Sequence, residues 1–189
     1  TGRRRLNSEG REPAFSDAMR ILFSLVKEED QTEPYQILKQ LFSNRDARDR
    51  VLGQEIFNRY YDVELGYAKV NQLIKGFGIQ LSGTVIPSTT SSANIRFTTA
   101  SGRTHMGEHE LDVKAMSKDQ IVDMELAPHV PAFGYAVNVM KDAEIVFLSF
   151  GSLHGSLLCN FLPDGMQNAI KSSRAPIYLV TNLASTRNE

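Results

Sequence analysis

The sequence predicts an α/β protein organised around a βαβ unit near its carboxyl end, and three observations predict it. Ile145–Phe150 is a nearly continuous apolar run, as expected of a strand buried on both faces. Pro176–Leu183 is a second such run, entered through Pro176. Between them Asp164–Ser173 has helical spacing, with Met166, Ala169 and Ile170 on one side, and parallel strands need such a crossover.

The remaining elements follow in chain order. Thr1–Asp17 reads as a loop opening a helix capped by Ser16 or Asp17, with Met19, Leu22, Phe23 and Val26 as its buried face. Glu33–Phe42 is amphipathic, with Ile37, Leu38 and Leu41 as its apolar side. Ser43–Arg50 is a charged surface stretch, and Val51–Tyr61 reads as helical. Val63–Gly78 is a further helix, its face set by Leu65, Ala68, Leu73, Ile74 and Phe77 and its end by Gly76 and Gly78. The period then shortens. Residues 79–126 read as a small β-rich insertion: a strand at Asn94–Ala100 with Ile95 and Phe97 on one face, a turn at Ser101-Gly102-Arg103, a return strand that begins with Met106-Gly107-Glu108-His109, and an alternating Gln120–Leu126. Ala127–Pro131 is a linker. Ala132–Lys141 is a helix with Phe133, Ala136, Val137 and Met140 inward.

Open α/β sheets bind ligands beyond the carboxyl ends of their strands. Both ends here carry small polar residues, Ser149–Ser156 on one and Thr181–Asn188 on the other. Backbone N–H groups of the Gly151-Ser152-Leu153-His154-Gly155-Ser156 segment could hold a phosphate, although a turn alone would account for the two glycines. His105 and His109 would share a strand face, without the neighbours a zinc site needs.

The order of residues in this region resembles the 2-phospho-L-lactate transferase (CofD-like) superfamily, and more closely its gluconeogenesis-factor (YvcK-like) branch. Asp142-Ala143-Glu144-Ile145-Val146, Ser149 to Ser156, Cys159-Asn160-Phe161-Leu162, Arg174-Ala175-Pro176, Tyr178, Val180, Asn182-Leu183 and Asn188-Glu189 follow that branch's block AD-x-IV-x-GPGSLYTS-x-x-PNLL…KAP-x-x-YV-x-N-x-x-T-x-x-GET. Ser149, Phe150, His154, Cys159 and Asn188 depart from it. Further matches are Gly2, Arg3, Arg5, Pro13 and Asp17; Gly53 and Asn58; Gly83 to Thr89; and Gly107-Glu108. Gln54 stands where the family has histidine and Phe57 where it has glycine. The resemblance implies a Rossmann-like three-layer α/β/α fold with a mostly parallel sheet, in one partial domain over 1–189. The family's amino-terminal strands, with their GGGTG and DDGGSSG turns, are missing; together with the initial Thr1, this points to a fragment or a processed form, or to a short diverged member that completes its sheet with another chain.

What the resemblance implies functionally is a regulatory protein that binds a nucleotide or nucleotide-sugar. The alternative is a phospholactyl-type transferase acting on a guanosine-diphosphate-linked donor with magnesium, and a third reading is a degenerate member kept for a protein contact. The candidate ligand residues are Asp17, Gly53, Asn58, Gly151, Ser152, Ser156, Asn160 and Asn182. Gly151 and Ser152 would offer N–H groups to phosphate, Ser156 and Asn160 would support the loop or reach the ligand, and Asn58 and Asn182 would line the crevice. Asp17 is the candidate magnesium-side carboxylate, or else a helix cap. His154 reads as a stand-in for a packing aromatic, and Cys159 as a small hydrophobe rather than a nucleophile.

Composition narrows the partners. A formal net charge of −1 gives no electrostatic case for nucleic acid or a bare membrane surface. No apolar run approaches the ~18 residues of a membrane span. A single cysteine excludes an internal disulfide and fits a reducing, cytoplasmic setting. A homodimer is left open.

Overall fold

A computed structural model of the chain describes residues 21–43, 72, 74–111 and 118–182. The chain divides into two compact units, Thr1–Ile86 and Pro87–Glu189.

In the first unit, Leu22, Phe23 and Val26 are buried together with Tyr35, Leu38, Ile74 and Ile79, and Leu81 and Val85 pack against this cluster. Helix α1 (Glu33–Ser43) begins with Pro34 in its first turn, where a missing N–H costs nothing. Its buried residues include Tyr35 and Leu38, one turn apart, whereas Ile37 is exposed. Tyr35 takes the inward position because its ring meets Phe23 edge-on at 6.0 Å while its hydroxyl reaches the Phe23 carbonyl at 3.4 Å. The helix ending at residue 76 is closed as expected. Gly78 has φ +74°, the Gly78 N–H reaches Lys75 O at 2.9 Å, and the Ile79 N–H reaches Ile74 O at 3.4 Å. Ile74 and Ile79 then meet in the core, while Phe77 is exposed rather than inward.

The second unit holds a three-stranded antiparallel sheet and a two-stranded parallel one. Strands β1 (Asn94–Thr99), β2 (Thr104–Met106) and β3 (Ile121–Ala127) are ordered β2-β1-β3. The β1–β2 turn is made by Gly102, at φ +80°, whose N–H bonds Thr99 O at 2.8 Å. Phe97, 1% exposed, anchors one face with Ile95, Ile121, Met124 and Leu111. Strict alternation would put Val122 on that face, but Val122 is 61% exposed. Thr98 pairs with Asp123 and Thr99 with Ile121, so Val122 is the extra residue of a bulge that turns Ile121 inward instead. The return strand stops at Met106. Gly107 (φ +99°) then breaks it and Glu108–Leu111 forms a helical turn, α2, so His105 and His109 do not share a strand.

Helix α3 (Gly134–Asp142) presents Phe133, Ala136, Val137 and Met140 half-buried. Strand β4 (Val146–Leu148) follows, then the crossover, helix α4 (Met166–Ser172) and strand β5 (Ile177–Leu179), parallel to β4. Met166 and Ala169 are buried as expected. The strands are shorter than their apolar runs, and burial on both faces does not hold: Val146 is buried but Phe147 is exposed. Among the described strands, parallel pairing joins β4 and β5, the expected βαβ unit, and an isolated parallel bridge joins Pro131 to Asp164.

Candidate functional site

The β4 strand ends at Leu148, and the segment beyond it is tied down from three sides. Gly151 has φ +154°, and a Cβ there would lie 2.9 Å from Ser156 Cβ, so the backbone passes where no larger residue fits. Ser152 Oγ accepts the Gly155 N–H at 3.2 Å, and Ser152 O accepts the N–H groups of Ser156 (2.9 Å) and Leu157 (3.1 Å). The chain therefore coils at once: Leu153–Leu157 is a π turn and Leu158–Phe161 a 3₁₀ turn, where an open loop was expected. From β5, Asn182 Nδ2 donates to Gly151 O at 2.8 Å. Beneath the coil, Cys159 Sγ donates to Gly155 O at 3.0 Å and Asn160 Nδ2 to Ser156 O at 2.7 Å.

Five of the candidate residues, Gly151, Ser152, Ser156, Asn160 and Asn182, thus meet in one hydrogen-bonded unit at the carboxyl ends of β4 and β5. Asn160 props the coil, Asn182 bridges the two strand ends, and the Ser156 N–H is spent on Ser152. Among the described residues, the N–H groups of Gly151 and Ser152 make no hydrogen bond. Asp17, Gly53 and Asn58 lie outside the described residues. No group of three or more His, Cys, Asp or Glu side chains that could hold a metal occurs among the described residues, and Asp17 is not one of these.

Cys159 is held as a thiol. Burial, with the Glu108 carboxylate as the second cause, pushes its pKa up to about 11. This fits the reading of Cys159 as a small hydrophobe. The neighbourhood of α2 was not legible from spacing. A Cβ at Gly155 would lie 3.6 Å from Leu111 Cδ1, so α2 supports the coil, and the only hint was Gly107, which ends β2.

Comparison with known proteins agrees with this framework. A protein of Aquifex aeolicus named "Putative gluconeogenesis factor" is 26% identical over 182 residues, covering 94% of this chain and 53% of that protein. One of the same name from Thermotoga maritima is 24% identical over 185 residues, covering 98% of this chain and 57% of its own length. The chain therefore spans about half the length of these relatives. The crystal structure of BH3568 from Bacillus halodurans matches 90% of this chain and 53% of its own with a TM-score of 0.74 at 23% identity. A second crystal structure of that protein, described as a member of the UPF0052 family, matches with a TM-score of 0.69. The α/β fold is Rossmann-like. The family described as "2-phospho-L-lactate transferase CofD" matches residues 3–189, which is nearly the whole sequence and includes both the βαβ unit and its Gly151 coil, and to that family the chain belongs.

Proposed function

We propose that the chain is a nucleotide- or nucleotide-sugar-binding regulatory protein of the gluconeogenesis-factor type, with a phosphate held at the 149–156 segment. The observation that carries this reading is the pair of N–H groups at Gly151 and Ser152. They make no hydrogen bond among the described residues and lie at the carboxyl ends of a parallel strand pair. Side chains hold the segment in place without using these donors, which is the preorganisation an anion site needs. The transferase reading keeps one specific support, the description of the matched family. There a magnesium ion would neutralise charge on the diphosphate, with Asp17 as the candidate carboxylate.

A thermal-shift series with UDP-sugars, GDP and GTP, with and without magnesium, tests both readings. A ligand at 100 times its Kd stabilises the native state by ~2.7 kcal/mol. Each kcal/mol is worth ~2–4 °C in Tm for a chain of this size. A shift with UDP-sugars supports the regulatory reading. A magnesium-dependent guanine-nucleotide shift supports the transferase. No shift with any of them removes both.

A further inference from the structure

Among the described residues, the large hydrophobic side chain most open to water is Phe150, 69% exposed. It lies between the end of β4 and the Gly151 coil. Phe147, on β4 itself, stacks on Tyr178 with ring centroids 5.4 Å apart. Phe150 meets no other ring among the described residues. Leu153, on the other side of Gly151 and Ser152 in the chain, is 36% exposed. The two N–H groups that make no hydrogen bond among the described residues are thus bracketed along the chain by apolar side chains open to solvent.

A scattered exposed hydrophobic side chain needs no explanation. Phe150 differs in where it is attached. The Gly151 N–H belongs to the peptide unit that leaves Phe150, so covalent geometry keeps the centre of the ring within about 6 Å of that donor in every rotamer. The attachment is also held still. Asn182 Nδ2 donates to Gly151 O at 2.8 Å, and Ser152 Oγ accepts the Gly155 N–H at 3.2 Å. A ring on a fixed backbone loses little freedom when it packs on a ligand. A bare phosphate would use the two donors and leave the ring in water. A ligand that joins an anion to a flat ring would use both. Ser149–Ser156 contains no Lys or Arg, so contact with a ring face would add affinity that the charge of this segment does not supply.

Resting on the phosphate site proposed above, we propose that Phe150 is the stacking platform for the base of a nucleoside diphosphate whose phosphate sits on the Gly151 and Ser152 N–H groups. Every base has a π-face, so stacking selects the ligand class, a nucleotide over a bare or sugar phosphate, and not the identity of the base. Phe150 stands where the family pattern has proline, so the platform is a feature of this chain rather than of the motif.

The test is NMR and calorimetric titration of the 189-residue chain and of Phe150→Ala with UDP, GDP, ribose 5-phosphate and inorganic pyrophosphate. Movement of the Gly151 and Ser152 amide resonances with pyrophosphate reports the phosphate site independently of the ring. If no probe moves them, the phosphate site falls and the platform with it. Where they move, Phe150→Ala should weaken UDP and GDP by roughly 5- to 150-fold, the range for one lost base stack, and pyrophosphate by less than about twofold. Phe150→Tyr, which keeps the ring, should bind UDP within about threefold of the parent. Circular dichroism of both variants should match the parent, because the ring is already exposed. Unchanged UDP and GDP affinity in Phe150→Ala overturns the platform and leaves the phosphate site standing. Equal losses for pyrophosphate and nucleotide would make Phe150 a support of the coil, and an equal loss for ribose 5-phosphate would move the contact to the sugar; either result overturns the proposal.

Discussion

Gly151→Ala, alone and combined with Ser156→Gly, is the sharpest test of the coil. The added methyl would sit 2.9 Å from Ser156 Cβ and 3.3 Å from its Oγ. Non-bonded carbons rest at about 3.5–4.0 Å, so the overlap is roughly 0.6–1.1 Å and one segment must move. Ser156 is poorly placed to yield, since its N–H is bonded to Ser152 O at 2.9 Å and its C=O accepts from Asn160 at 2.7 Å. Overpacking of this kind costs ~1–3 kcal/mol. A backbone angle of +154°, which side-chain-bearing residues rarely adopt, adds ~1–3 kcal/mol. Gly151→Ala should therefore lose ~2–6 kcal/mol. Ser156→Gly removes the atoms in the way and should restore the steric part but not the backbone part. Urea unfolding of the parent, both single variants and the double variant gives the coupling, expected at ~1–3 kcal/mol. A coupling below ~0.5 kcal/mol would refute the contact as the reason for glycine at 151.

Other expectations follow from single groups. Asn182→Ala removes the 2.8 Å bond onto Gly151 O and should cost ~0.5–1.5 kcal/mol in urea unfolding, while faster amide exchange at 151–152 reports the loosened coil. Hydrogen bonds from Ser101, then Arg103 and Thr99, hold the Asp119 carboxyl well below the usual carboxylate range. The folded pKa is depressed, so this stabilisation is present above the unfolded value of ~3.9 and is lost as pH falls below it. Asp119→Asn should accordingly be less stable than the parent at pH 7, with the gap narrowing at pH 3, by urea midpoints at the two pH values. Raising the Cys159 pKa from 9.0 to about 11 lowers its thiolate fraction at pH 8. Two units correspond to roughly 100-fold, so a disulfide reagent should label the native chain at least that much more slowly than the urea-unfolded one.

What the sequence made legible is what period and turn chemistry carry. The βαβ unit, the Gly102 turn and the Gly78 helix end were readable because each rests on local rules: an apolar run, a left-handed glycine, a Pro176 entry. The failures come where a non-local pairing overrides the local pattern. Val122 looks inward by alternation, and only the two-against-one pairing with Thr98 and Thr99 turns it out. Ile37 looks like a core residue by hydropathy, but Tyr35 takes the inward position because Phe23 offers both an edge for its ring and a carbonyl for its hydroxyl. The length of β4 was overread because a six-residue run with five apolar members cannot say how many find a ladder partner.

In the candidate site, position was readable and role was not. Loop residues at the ends of two strands can be placed by topology, but which N–H groups are spent depends on hydrogen bonds that no spacing encodes. Ser152, for example, uses its hydroxyl and carbonyl on the coil while its N–H makes no hydrogen bond among the described residues. Phe150 shows why substitutions need geometry before they are weighed. It stands where the family resemblance has proline, a departure that taken by itself would favour the degenerate member. Its ring is 69% exposed, so it does not fill the turn, and the Ser152 cap and the Asn182 tie just beyond it are both intact. The steric argument for a lost site therefore has no support at Phe150 and falls entirely on Phe57, outside the described residues. Phe57→Gly, which restores the family residue, is the substitution that weighs it: tighter binding of the ligand found in the thermal-shift series would mean that ring obstructs the site, and unchanged affinity would mean it does not.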